Sequence, residues 1–203
     1  MKKGTLVKIL GSFAVLGAAA SIAGLGTFAT FTSSTSASQS IQSGTVSITL
    51  GATGPANRLT VGATNLVAGD TIQRAVDLVN NGTISADTLS QIQLTTAAAP
   101  SSLLDTDATN GLQMVIDKCS VAWTEAGPPY TYSCGGTTSS VLATRSVIGA
   151  NLALANLSSL TTGSTDHLRV TLTLPSAAPN ALQGQSSSIS YNFVGTQRLA
   201  AAK

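Results

Sequence analysis

Few side chains in this sequence could catalyse hydrolysis. The chain has one histidine, His167, and one glutamate, Glu125. A zinc-peptidase helix needs two histidines one turn apart plus a glutamate, which this composition does not supply. His167 follows Asp166, as two members of a serine-hydrolase triad could, but no Gly-x-Ser-x-Gly elbow provides a nucleophile. We expect no catalytic residue, and a surface or hydrogen-bonding role for His167.

Two neighbouring carboxylates, Asp105 and Asp107, resemble the start of a calcium-binding loop. The glycine that such a loop needs falls one place late, at Gly111, and Ile116 stands where the bidentate glutamate should be. The favoured interpretation is a solvated loop, and a bound calcium ion is the alternative. We expect the protein to use no metal and no cofactor.

The two cysteines, Cys119 and Cys134, are the remaining reactive side chains. In an oxidising compartment an isolated pair is expected to form a disulfide. The loop it would close is about 15 residues long and worth roughly 3 kcal/mol on the chain-entropy model. A metal site is the alternative, but it needs two further ligands, and His167 is distant in sequence.

The compartment is indicated by the N-terminus. Three lysines in the first eight residues precede an apolar run from Ile9 to Phe31, which is the form of an export signal. A permanent membrane anchor is the alternative, since about 20 apolar residues can span a bilayer. The many glycines and alanines of the run, and the lack of a basic cluster after it, favour a cleaved signal.

Small-x-small cleavage sites end at Ala29, which is followed by Thr30, and at Ala37. We therefore expect cleavage between about residues 29 and 37. The mature protein should be secreted, with attachment to the cell surface as a further option. It should meet a membrane only through the signal before cleavage.

The charge balance excludes a nucleic-acid partner. The chain has 10 basic and 8 acidic residues, and three of the basic residues lie in the signal, so the mature chain has no basic patch. Charged residues make up 9% of the chain, against about 25% in ordinary domains. A neutral polar surface of this kind is typical of extracellular β-proteins, and it also suits chains that pack against copies of themselves.

The elements that position these residues are predicted to be strands. Apolar and polar residues alternate in segments 45–50, 112–116, 168–174 and 189–193, and glycine-, proline- or asparagine-rich turns separate them. After Ile116 the apolar residues continue to Cys119 and Trp123 on shifted parity. This pattern predicts an all-β fold, an antiparallel jelly-roll sandwich. Short helices are allowed in the connections at 102–107 and 148–160, and the signal should form a helix.

An ordered set of motifs resembles the TasA/camelysin (CalY-like) family. They are GTFATF at 26–31, GTVSI at 44–48, NLVAGD at 65–70, VNNGT at 79–83 and ALQGQ at 181–185. The resemblance implies a secreted jelly-roll protein whose signal is cut by a SipW-type signal peptidase. It divides the chain into a signal (1–30), a donor segment (31–43), the jelly-roll domain (44–198) and a short tail (199–203). Residues 112–145 depart from the fibre-forming members.

The resemblance also implies a function. Family members form matrix or biofilm fibres, in which the segment freed by cleavage adds as a strand to the next subunit. Here Phe31 to Gln42 would be the donor, with Phe31 and Ile41 as anchors, and the partner would be a second copy in a head-to-tail homopolymer. The alternatives are a monomeric surface or adhesive binding module, and a camelysin-type secreted metalloprotease.

Overall fold

The described part of the chain is dominated by β-strands. The computed structural model describes residues 48–50, 59, 66–83 and 89–197. The strands are β1 (Ile48–Leu50), β2 (Thr71–Asn80), β3 (Leu89–Ala98), β4 (Gln113–Cys119), β5 (Trp123–Ala126), β6 (Thr131–Cys134), β7 (Thr138–Ser146), β8 (Gly149–Ala153), β9 (Thr165–Thr173) and β10 (Ile189–Gln197). All described pairings are antiparallel. The predicted all-β, antiparallel class is confirmed.

Two sheets enclose the core. The larger has the order β1-β2-β9-β4-β7, and the smaller has the order β10-β3-β8. Each strand turns alternate side chains inward, as period-two alternation requires. The inward residues of both sheets form one cluster, whose fully buried members include Leu78, Ile92, Leu94, Met114, Ile116 and Leu168. The described residues therefore form a β-sandwich.

A third, two-stranded sheet lies on the outer face of the larger one. It is the hairpin of β5 and β6, in which Trp123 pairs with Cys134. Trp123 and Tyr132 form a second buried cluster with Ala75 of β2 and Cys119 of β4. Ala75 and Cys119 face away from the main core. The shifted parity after Ile116 thus records a change from the inner to the outer face of the sheet.

One of the two short helices expected in the connections is present, and the expected signal helix lies outside the described residues. Helix α1 (Leu103–Thr106) lies within the segment 102–107 and begins with a capping box between Ser102 and Asp105. The prediction of a short helix at 148–160 is wrong, because β8 occupies the first half of this segment and Leu152 pairs with Leu94. Asn156 then has a φ of 57°, a left-handed conformation that does not continue a right-handed helix. Within the described ranges, no helix has the length and apolar character needed to span a membrane.

Candidate functional site

His167 is a structural partner on the outer face of the larger sheet. It lies in β9 directly opposite Asp77 of β2, and its Nδ1 is 2.7 Å from the Asp77 Oδ1. The Trp123 Nε1 donates to the His167 carbonyl oxygen at 2.9 Å. Asp166 is the neighbouring residue in the same strand, so its side chain points to the opposite face. Asp166 and His167 therefore cannot form two members of one triad.

Arg169 fastens the hairpin to this outer face. Its guanidinium lies 4.4 Å from the centre of the Trp123 ring. Its Nη1 donates to the Tyr132 carbonyl at 3.2 Å, and its Nη2 donates to Asp117 at 3.1 Å. One cation thus contacts both hairpin strands and β4.

Glu125 takes part in the same attachment. The Tyr132 hydroxyl donates to a Glu125 carboxylate oxygen at 2.6 Å. Burial, together with this carboxylate, raises the pKa of Tyr132 to about 12. The only glutamate of the chain is therefore hydrogen-bonded within the hairpin.

Asp166 anchors the loop before β9. Its two carboxylate oxygens accept hydrogen bonds from the backbone N–H groups of Ser158 and Ser159, and Lys118 donates to it at 3.1 Å. Burial alone would raise the pKa of Asp166, but these donors outweigh it and hold that pKa below its ordinary value.

The Asp105–Asp107 segment is built as a helix cap. Asp105 is only 4% exposed, and it accepts hydrogen bonds from the Ser101 and Ser187 hydroxyls and the Ser102 N–H. Asp107 accepts from the N–H of Thr109 and from Asn110. The expectation of a solvated loop is therefore wrong for Asp105, whose oxygens satisfy buried donors.

The cysteine pair forms the expected disulfide. Cys119 and Cys134 are bonded to each other, with their Cα atoms 5.7 Å apart. The bond joins the end of β4 to the end of β6. It therefore closes the hairpin onto the sheet at the end away from the Gly127–Pro128–Pro129 turn.

Two open grooves do not contain the side chains considered for catalysis. One, of about 570 Å³, lies between the start of β2 and the hairpin tip and is lined by Arg74 and Tyr130 among others. The other, of about 470 Å³, lies beside α1 and includes Asp105. Neither is lined by His167, Asp166 or Glu125.

The predicted assembly and cleavage residues lie outside the described part of the chain. They are Ala29, Thr30, Phe31, Ala37 and Ile41. Their roles stay predictions.

The outer-face attachment was missed by sequence reasoning. Arg169 and Asp117 look like ordinary polar positions of half-buried strands, and nothing in their spacing links them to Trp123. The one available signal was the shifted parity towards Cys119 and Trp123, which indicated a second apolar surface.

The chain matches one protein-family model, described as camelysin metallo-endopeptidase, over residues 5–123. No curated protein matches the chain. The family description implies a metal ion, and the described residues do not fit one. Among them, no three His, Cys, Asp or Glu side chains come together. Both cysteines are consumed by their disulfide, and His167 is held by Asp77.

The match covers more than half of the chain and includes β1 to β4. It also includes four of the five motifs on which the family resemblance was based. The chain therefore belongs to the camelysin metallo-endopeptidase family.

Proposed function

We propose that this protein is a secreted, non-enzymatic structural subunit of an extracellular matrix, biofilm or cell-surface fibre. The observation that carries the proposal is the charge distribution over the two sheets. The smaller sheet, formed by β10, β3 and β8, has no charged residue in any of its three strands. An uncharged sheet allows copies to approach without like-charge repulsion.

The non-enzymatic part of the proposal is supported by what the polar side chains do. His167, Glu125 and Asp166 each make a contact that holds an element in place. A catalytic base must instead be directed at a substrate.

The proposed assembly step is strand addition. After the signal peptidase cuts the precursor, Phe31 to Gln42 becomes a free end that has no charged side chain and contains no proline or glycine. Such a segment can pair with the unpaired N–H and C=O groups of an edge strand in a second copy. Because this contact is head-to-tail and does not close, it produces a filament.

Electron microscopy of the secreted protein tests this. We expect filaments from the intact mature protein and none from a variant that lacks Phe31–Gln42. A variant that lacks residues 199–203 is the control and should still form filaments. If the intact protein stays monomeric at every concentration and pH, the monomeric binding module replaces the fibre subunit as the favoured function.

The family description favours a second candidate, a secreted metallo-endopeptidase. Zinc analysis and a casein-cleavage assay, with His167→Ala as the control, test it. Stoichiometric zinc together with cleavage that the substitution abolishes would establish the peptidase.

A further inference from the structure

One edge strand of the sandwich has little of the usual protection. Edge strands are normally short, charged, interrupted by proline or bulged, because these features prevent pairing with other chains. Strand β10 is nine residues long, with no charge and no proline, and its pairing with β3 shifts only at the last step. Among the described residues, β10 pairs with β3 alone.

The edges at β8 and β7 do carry such features. Strand β8 has five residues, and Asn151 within it has a φ of 52°. Strand β7 contains Arg145, and its pairing with β4 shifts register twice.

The backbone hydrogen bonds show which groups of β10 point outward. The Leu154 N–H donates to the Ile92 carbonyl, so Ile92 directs its backbone groups towards β8. The next residue, Gln93, must then direct its groups the other way, towards its partner Val194. Groups alternate along a strand, so those of Tyr191, Phe193 and Gly195 point away from β3.

The side chains of the two aromatic residues among these three are incompletely covered. Tyr191 and Phe193 pack against the core and are only partly buried, whereas Leu94, opposite Phe193, is 0% exposed. A further strand beside β10 would cover these aromatic rings and pair with the outward-pointing N–H and C=O groups in one step.

We infer that the outer edge of β10 is the acceptor for Phe31–Gln42 of a second copy. This inference rests on the proposed function. The lengths agree, because nine strand residues span roughly 30 Å and a twelve-residue segment reaches roughly 40 Å. Neither segment has a charged side chain, and Phe31 and Ile41 provide the apolar side chains for the uncovered side of β10.

Paired proline substitutions test the assignment in the full secreted protein. Gly195→Pro removes an N–H that points outward from β10. Ala153→Pro is the matched control, because it removes an outward N–H from β8, the opposite edge of the same sheet. We expect Gly195→Pro to slow filament elongation at least about tenfold and Ala153→Pro to leave it unchanged.

Hydrogen exchange gives a second readout that needs no substitution. In filaments of the unaltered protein, the amides of Tyr191, Phe193 and Gly195 should exchange at least about tenfold more slowly than in the monomer. This measurement decides the matter if Gly195→Pro fails to fold.

The outcomes separate the two proposals. Filaments whose new protection lies at β7 or β8, or which elongate normally with a folded Gly195→Pro subunit, overturn the β10 assignment and leave the fibre function standing. If the unaltered protein forms no filaments, the proposed function fails and the acceptor assignment fails with it.

Discussion

At the residue scale, Arg169 shows how one charge can be used for attachment. The guanidinium meets a ring, a carbonyl and a carboxylate at once, and this requires its planar shape as well as its charge. Lysine offers one compact ammonium and cannot reproduce the three contacts together.

We therefore expect Arg169→Lys to lower the free energy of unfolding by about 1–2 kcal/mol. Urea unfolding followed by the emission of Trp123, the single tryptophan, measures this. Arg145→Lys is the control, because the Arg145 Nε donates only to the adjacent Ser146 carbonyl in a long 3.4 Å bond, and it should change stability by less than about 0.5 kcal/mol. Equal losses for the two variants would contradict the attachment role.

Asp166 gives a pH-dependent prediction. Its pKa is lowered in the folded protein from the ordinary 3.8, so its stabilisation is complete above that value and is lost as pH falls through the lower folded-state pKa. Asp166→Asn should cost roughly 2 kcal/mol near neutral pH, because the amide cannot accept from both serine N–H groups and loses the pairing with Lys118.

The difference in stability between the Asp166→Asn variant and the unaltered protein should shrink below about pH 4. Chemical denaturation at several pH values measures it. A difference that stays constant down to pH 2 would show that ionisation of Asp166 does not stabilise the fold.

At the element scale, the sequence predicted those strands in which apolar and polar residues alternate regularly. Segments 112–116, 168–174 and 189–193 alternate cleanly, and all three became strands. The segment 148–160 was allowed as a short helix, but its leucines belong to β8 and to the loop that follows it. Its spacing fits neither period, and only the pairing of Leu152 with Leu94 decides the structure. The site was less predictable, since the contacts of Arg169 depend on how a distant hairpin folds back.

The hairpin should depend on its disulfide. Replacing Cys119 and Cys134 by serine should lower stability by roughly 3 kcal/mol, because the bond closes a loop of 15 residues. Urea unfolding measures the loss, and intact-mass measurement before and after reduction should show a gain of two hydrogens. Free thiols in the secreted protein would contradict the disulfide.

At the scale of the whole molecule, the charged residues of the described strands lie in the larger sheet and in the hairpin on its outer face. The strands of the larger sheet include Arg74, Asp77, Lys118, Asp166 and Arg169, and the smaller sheet has no charged residue. Contacts made through the smaller sheet should therefore be nearly independent of ionic strength.

We expect the filament elongation rate to change by less than about twofold between roughly 0.02 and 0.5 M salt. Light scattering during assembly measures it, with the monomer concentration held constant. A tenfold fall in rate with added salt would place charged groups at the contact and contradict assembly through the uncharged sheet.

The pairing of the long strands has a consequence for the order of folding. Strands β2, β3 and β4 do not pair with one another; their partners β9 and β10 come roughly 50 to 100 residues later. For a chain that is exported from its signal end, neither sheet can therefore be completed until the last strands have emerged. Because its long strands pair with partners far along the sequence, such a chain stays unfolded while it crosses the membrane. The same pairing also means that the leading end, with Phe31, is outside long before its own β10 exists, so the first acceptor it can meet belongs to a copy exported earlier.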